Sequence, residues 1–286
     1  MRRKITMMAR GKSPYLAACL INGLFRVLAG ALLATAAGMA TAQQPGDPLR
    51  RVGAADGYLP AARVGDIKQW LPPAPAPRSA AQREDIAVFR MSRQTLTSAR
   101  GQQAAEDDVF DPPAVAARFS EAAGVALTPA TAPTLMKLIK NMGADARRLV
   151  APVKLSLADG GRIRPFVAYP KEPSCLKPRD MAGHRDEDLV TFHLDQSGSY
   201  PSTHALVGLL MAMVLGETIP ARADAVMVRG LEFGNSRIIC GFHYYSDVVA
   251  GRLVASTLYA RLHADPVFSA DMQALRGELQ AAGAPN

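Results

Sequence analysis

Between Pro133 and Met142, apolar side chains recur at Leu135, Leu138, Ile139 and Met142, the i, i+3, i+4, i+7 spacing of a helix that buries one face. Farther on, His204 to Gly216 reads HALVGLLMAMVLG, apolar on nearly every side. A helix of that kind belongs in the centre of a bundle, and it falls short of the ~20 residues that cross a bilayer. Ala81 to Thr95 and Pro112 to Ala123 mix alanines with charges and predict helices that face solvent on one side. Another is predicted from Ala221 to Phe233, stopping near Gly234-Asn235. The next begins at Ser246-Asp247, where either side chain suits a cap, and continues to about Leu262. Asp265-Pro266 supplies a cap and a first-turn proline for the last helix, to about Ala281. No stretch convincingly predicts a strand, and no internal repeat is visible. The pattern predicts an all-α helical bundle.

The ends of the pattern change the picture. Residues 43–78 are rich in Pro and Gly and finish in Leu71-Pro-Pro-Ala-Pro-Ala-Pro77, which favours extended backbone and reads as an arm, with Trp70 expected to pin it to a domain spanning 79–286. Residues 1–42 hold six basic groups (Arg2, Arg3, Lys4, Arg10, Lys12, Arg26) and no acids, followed by the apolar run Val27 to Ala40 and a small-residue Ala40-Thr-Ala42. That is the three-part form of a secretory signal, and it predicts export to the periplasm; an uncleaved anchor is the competing reading. Removing the segment lowers the formal charge from +8 to 8 − 6 = +2, which gives no reason to expect a nucleic-acid partner. It also leaves Cys175 and Cys240 as a pair, and an even pair in an exported chain predicts a disulfide, with two free thiols as the alternative.

Candidate chemistry concentrates in three segments. Ser236-Arg-Ile-Ile-Cys-Gly-Phe-His-Tyr-Tyr-Ser-Asp247 brings together Arg237, whose planar fork of donors suits phosphate oxygens, and His243, which titrates near neutral pH. Asp247 follows His243 by four residues, the spacing that stacks a carboxylate over an imidazole on a helix. Upstream, Gly198-Ser-Tyr-Pro-Ser-Thr-His204 puts Ser202 and His204 at the start of the apolar helix, where free amides and the helix dipole favour an anion. Arg162-Ile-Arg164-Pro-Phe166 adds two guanidinium groups. His184, His193 and His263 have no partners at ligand spacing, and Glu217, Glu232 and Asp224 read as solvated helix positions. No metal-binding cluster is visible, so neither a metal nor another cofactor is expected.

Taken in order, Arg-Pro, Pro-Ser-x-His and Ser-Arg-x5-His-x3-Asp resemble the three-part signature of the type 2 phosphatidate phosphatase and vanadium haloperoxidase superfamily. Within it, RIRPF, GSYPSTHA and SRIICGFHYYSDV are similar to the class A bacterial non-specific acid phosphatases, and the likeness runs from near Leu71 to the C-terminal helix. The resemblance implies a helical phosphatase fold and metal-independent hydrolysis of small phosphomonoesters through a phosphohistidine. It implies His243 as nucleophile, Asp247 as its orienting partner and His204 as the proton donor. It further implies that Arg237, Arg164, Ser202 and the Thr203 amide hold the equatorial oxygens.

Two positions depart from that signature. Thr203 stands where the family has Gly, which would be costly if the position requires positive φ. Leu157 stands where the family has a lysine. Lys154 reaches the site if Asp159-Gly160-Gly161 loops out; otherwise Arg162 substitutes, or the third cation is missing. A degenerate phosphate-binding protein, a lipid-phosphate phosphatase and a vanadate-dependent oxidase are the other readings. A homodimer stays open as the assembly.

Overall fold

The structure, a computed structural model, describes residues 57–60, 64–175, 184–186, 189–192 and 194–285. The expected export signal and His193 lie outside the described residues. Ser79 opens the first helix by accepting the Gln82 amide, and α1 runs Ala80–Ser92, with a 3-10 turn over Arg93–Thr95. Ser98 then caps α2 (Ala99–Glu106), a helix absent from the sequence reading although its cap was visible as serine. The stretch expected as one helix from Pro112 to Ala123 is two, α3 (Pro112–Ala117) and α4 (Ser120–Ala123). The break is physical: the Phe119 amide bonds back to the Ala116 carbonyl, and the Arg118 carbonyl accepts Arg229 Nε at 2.8 Å.

The amphipathic segment becomes α5 (Pro133–Val150), longer than expected because Gly143, Ala144, Ala146, Leu149 and Val150 continue its buried face. A short α6 (Pro165–Ala168) follows. The all-α reading holds with one local addition: an antiparallel pair, β1 (His184–Asp186) and β2 (Leu189–Phe192), which the sequence reading did not anticipate. The apolar helix α7 (Thr203–Thr218) sits at the centre, with Leu206, Met211, Ala212, Val214 and Leu215 fully out of solvent. It is capped by Ser202, whose Oγ accepts the Ala205 amide.

Helix α8 (Ala223–Ile239) corrects the expected stop at Gly234-Asn235. Gly234 is a close-approach residue rather than a terminator, since a Cβ there would lie 3.1 Å from Ala205 Cβ. The chain instead turns at Gly241, at φ +77°, where only glycine is unstrained. Arg237 therefore projects from a rigid last turn and not from a loop. Helix α9 (Tyr245–Leu262) begins where expected, with Asp247 Oδ2 accepting the Tyr244 amide at 2.8 Å, and α10 (Pro266–Ala281) is capped by Asp265.

The Pro-rich region contributes more than a surface contact. Tyr58, Leu59, Val64, Ile67 and Leu71 are buried in the main core, and Trp70 packs partly buried against it. Tyr58 also donates its amide to Asp145 and its hydroxyl to Asp271. Among the described residues no helix is long and apolar enough to cross a membrane.

Candidate active site

Arg164 precedes Pro165, whose ring can open α6 because a first-turn residue has no carbonyl to donate to. The Arg164 side chain turns inward and is almost wholly buried. Its Nε and Nη2 donate to the carbonyls of Ser197 and Gly198 and to Ser197 Oγ, while Nη1 donates to the Phe242 carbonyl at 3.1 Å and faces His243 Nε2 at 3.2 Å. Burial, and then the nearby Arg237, lowers its pKa to about 9 against the opposing pull of Asp247. Arg237 is equally buried. Its Nη1 donates to Asp108 Oδ1 at 2.8 Å, and its guanidinium lies over the Phe242 ring at 4.2 Å. The buried Nε has no hydrogen-bond partner, and a donor left so costs about 1–3 kcal/mol.

His243 lies between these guanidiniums, 3 % exposed. Its Nε2 faces Arg164, and its Nδ1 faces Asp247 Oδ2 at 3.7 Å, beyond hydrogen-bond reach. Burial first, then Arg164, Lys154 and Arg237, push its pKa well below the ordinary imidazole value, which favours the neutral ring, with Nε2 accepting from Arg164 Nη1. Asp247 is fixed on every side. Oδ2 accepts the Tyr244 amide and Ser199 Oγ, Oδ1 accepts Arg162 Nη1 at 2.5 Å, and its carbonyl accepts the Ser202 amide at 2.9 Å.

His204 is the second residue of α7, and its Nε2 donates to the Val109 carbonyl at 3.1 Å. A carbonyl only accepts, so Nε2 carries the hydrogen and Nδ1 is the nitrogen left for proton transfer. Burial, followed by Arg237, pushes its pKa well down, with Asp108 opposing. Phe233 stacks on one side of the ring and Phe110 meets it edge-on. Thr203 is the first residue of α7, and Arg78 is the one non-glycine with positive φ among the described residues. The β-branched side chain therefore meets no left-handed backbone. Its amide is among the first of the helix, which have no carbonyl partner within it.

Ser156 to Gly161 closes into a tight exposed turn, with the amides of Asp159 and Gly161 on the Ser156 carbonyl and Gly160 at φ +84°. Lys154 is thereby free to enter, and its Nζ donates to the Pro201 carbonyl at 2.7 Å. Burial, and then Arg164, push its pKa well down, while Asp247 opposes. Arg162 is not a substitute for it. Its guanidinium is spent on Asp247, Asp85, Ser246 and Gln82 and lies over the Tyr244 ring. Arg164, Arg237, Lys154, His243, His204, Asp247, Ser202 and Thr203 thus come together.

Cys175 and Cys240 are bonded, tying the segment after α6 to the end of α8. His263, expected to be solvated or merely structural, pairs with Glu217, which also accepts Tyr259 Oη, so Glu217 departs from the solvated expectation. Asp224 is exposed. Ser199, Arg162, Asp85 and Asp108 were missed as supports. Ser199 and Arg162 stand inside the GSYPSTH and RIRPF segments, though in other roles; Asp85 and Asp108 lie far in sequence from the groups they hold. A surface cleft of about 520 Å³, lined by Gln103, Arg118, Arg222 and Arg229 among others, contains none of the site residues.

Comparison with known proteins converges on the same segments. Residues 152–266, which carry all three motifs, match the PAP2 superfamily. The chain is 37% identical over 221 residues to a non-specific acid phosphatase of Providencia stuartii, covering 77% of this chain and 84% of that one. It is 36% identical over 211 residues to a non-specific acid phosphatase of Salmonella typhimurium, covering 73% and 78%. An acid phosphatase of Zymomonas mobilis is 36% identical over 213 residues, covering 74% and 75%. With the motif residues gathered around one buried imidazole and relatives aligned along most of its length, this chain belongs to the non-specific acid phosphatase family of the PAP2 superfamily.

Proposed function

We propose that this acid phosphatase hydrolyses small phosphate monoesters through a phosphohistidine on His243, without a metal ion, and works in the periplasm after export. The observation that carries the reading is the grouping of Arg164, Arg237 and Lys154 around a neutral His243 whose far nitrogen faces Asp247. Charge in phosphoryl transfer spreads over the equatorial oxygens, and three fixed cations answer it without reorganising. His243 Nε2 attacks phosphorus as the bond to the leaving oxygen breaks, and Asp247 stabilises the imidazolium that forms. His204 Nδ1 protonates the leaving oxygen. Water then attacks phosphorus, His204 takes its proton, and the Nε2–P bond breaks to release inorganic phosphate.

The pH dependence follows from the two imidazoles. His204 must be protonated, yet in the free site burial, and then the cationic Arg237, disfavour this. A bound phosphate anion opposes that cation, so turnover is expected on the acid side and to fall as pH rises. Hydrolysis of p-nitrophenyl phosphate by the mature protein from pH 4 to 8, with chelator present, tests this. A rate abolished by chelator, or one rising through pH 8, overturns the metal-free, histidine-based reading. Phosphate binding without turnover would instead favour the degenerate binding protein, a reading weakened by the non-positive φ of Thr203 and by Lys154 in the site.

Lys154→Ala supplies a second test. Removing one of three cations is expected to lower kcat/KM about 10²-fold, by analogy with loss of one transition-state donor. An unchanged rate would remove Lys154 from the phosphate grip.

A further inference from the structure

We propose that Phe110 is a leaving-group platform, giving this enzyme a preference for phosphomonoesters whose leaving group carries a flat aromatic ring, such as aryl phosphates and nucleoside monophosphates, over those of short aliphatic alcohols. This rests on the phosphatase reading of the same site. Two rings touch His204. Phe233 stacks on it from the core and is 1 % exposed, so no substrate reaches it. Phe110 meets it edge-on, with ring centroids 4.6 Å apart, and is 48 % exposed. The solvent side of His204 is therefore bounded by Phe110.

That position matters because of where the leaving oxygen must be. Arg164, Arg237 and Lys154 grip the phosphoryl oxygens beside His243, and the leaving oxygen has to present itself to His204. Whatever is bonded to that oxygen extends from His204 toward solvent, past the Phe110 ring.

The ring is also held in place from both sides. Asp107 pairs with Arg229 and accepts Ser236 Oγ, Asp108 pairs with Arg237, and the Val109 carbonyl accepts His204 Nε2. Directly after the ring, Asp111 caps α3 by accepting the Ala114 amide at 3.0 Å. A half-exposed phenylalanine on a mobile loop would be unremarkable, since single apolar side chains on a surface need no explanation. Here it is fixed to the proton donor by a segment anchored in buried ion pairs. An aromatic substituent laid on it gains a ring–ring contact and loses apolar surface to water, whereas a short polyol gains neither. The expected advantage is about 3- to 10-fold.

The test uses the mature enzyme and pairs binding with turnover. Benzylphosphonate and ethylphosphonate, which cannot be hydrolysed, are titrated calorimetrically into wild type, Phe110→Ala and Phe110→Tyr. The ratio of kcat/KM for phenyl phosphate to that for glycerol 2-phosphate is measured in parallel. Wild type is expected to favour the aromatic member of each pair, Phe110→Ala to lose that preference by about 3- to 10-fold, and Phe110→Tyr to keep it. Equal losses on both members would overturn the proposal, because Phe110 would then act only by supporting His204. So would a preference left intact by Phe110→Ala. If wild type binds both phosphonates and hydrolyses nothing, the phosphatase reading fails, while the benzyl-to-ethyl binding ratio still decides the role of Phe110.

Discussion

Replacing His243 by Ala is expected to lower kcat for p-nitrophenyl phosphate by at least about 10³-fold while inorganic phosphate still binds. The residue is the nucleophile of the proposed reaction, and removing a covalent catalyst leaves only the stabilisation that the remaining groups provide. Those groups are Arg164, Arg237 and Lys154, none of which depends on the imidazole for its anchorage: Arg164 rests on backbone carbonyls and Ser197, Arg237 on Asp108, and Lys154 on Pro201. Competition by inorganic phosphate, read by calorimetry, separates lost chemistry from lost folding. The substitution also has a pH signature in stability. Because the folded imidazole titrates below its unfolded value, the unfolded chain takes up its proton first as pH falls, so native stability is full above the unfolded pKa near 6.5 and is lost below it. Without His243 that loss shrinks, and the fall in melting temperature between pH 7.5 and pH 5 should be smaller in the variant. Equal turnover in wild type and variant would end the phosphohistidine mechanism.

The sequence was most legible where one local signal decides the outcome. The amphipathic spacing of Leu135, Leu138, Ile139 and Met142, the uniformly apolar run after His204, and the Asp265-Pro266 cap each specify a helix from neighbouring residues alone, and all three are present. Gly234 misled because a glycine can serve either a turn or a close helix crossing, and only the position of Ala205 across the interface tells them apart. The division of Pro112 to Ala123 depends on Arg229, over a hundred residues away. The site divides in the same way. The residues proposed to face the phosphate sit in compact motifs, because donors that must converge on one small anion are presented by three short segments. Those that hold the donors do not: Asp108 reaches Arg237 and Asp85 reaches Arg162 across folds of the chain that no spacing encodes. Arg162 shows the consequence. From sequence it was a candidate phosphate ligand beside Arg164, yet its guanidinium is taken up by Asp247, Asp85, Ser246 and Gln82, partners that no local spacing reveals.

That position makes Arg162→Ala the substitution with the largest expected effect on stability and a severe one on turnover. Arg162 is a positioning residue. One guanidinium edge holds Asp247 Oδ1 at 2.5 Å and the other holds Asp85 Oδ2 at 2.6 Å, with all three side chains almost wholly buried. Truncation leaves two carboxylates in the interior without their shared cation, and breaking a buried pair in this way costs about 3–5 kcal/mol. In a chain of this size that lowers the melting temperature by roughly 10 °C. Asp85 still receives the amide and hydroxyl of Ser246, and Asp247 still receives Tyr244 and Ser199, so the fold has other ties in the same region. The carboxylate facing His243 is nevertheless no longer held from behind, and displacement by about 1 Å costs about 10²-fold in rate. The loss should appear in kcat, with phosphate inhibition little changed, because Arg164, Arg237 and Lys154 grip the anion independently. Arg162→Lys keeps the charge but reaches only one of the two carboxylates, and should recover part of the stability and less of the rate. A fall in melting temperature with kcat untouched would make Arg162 a structural tie alone. A matching rise in KM would move it into the phosphate grip, which its four occupied contacts argue against.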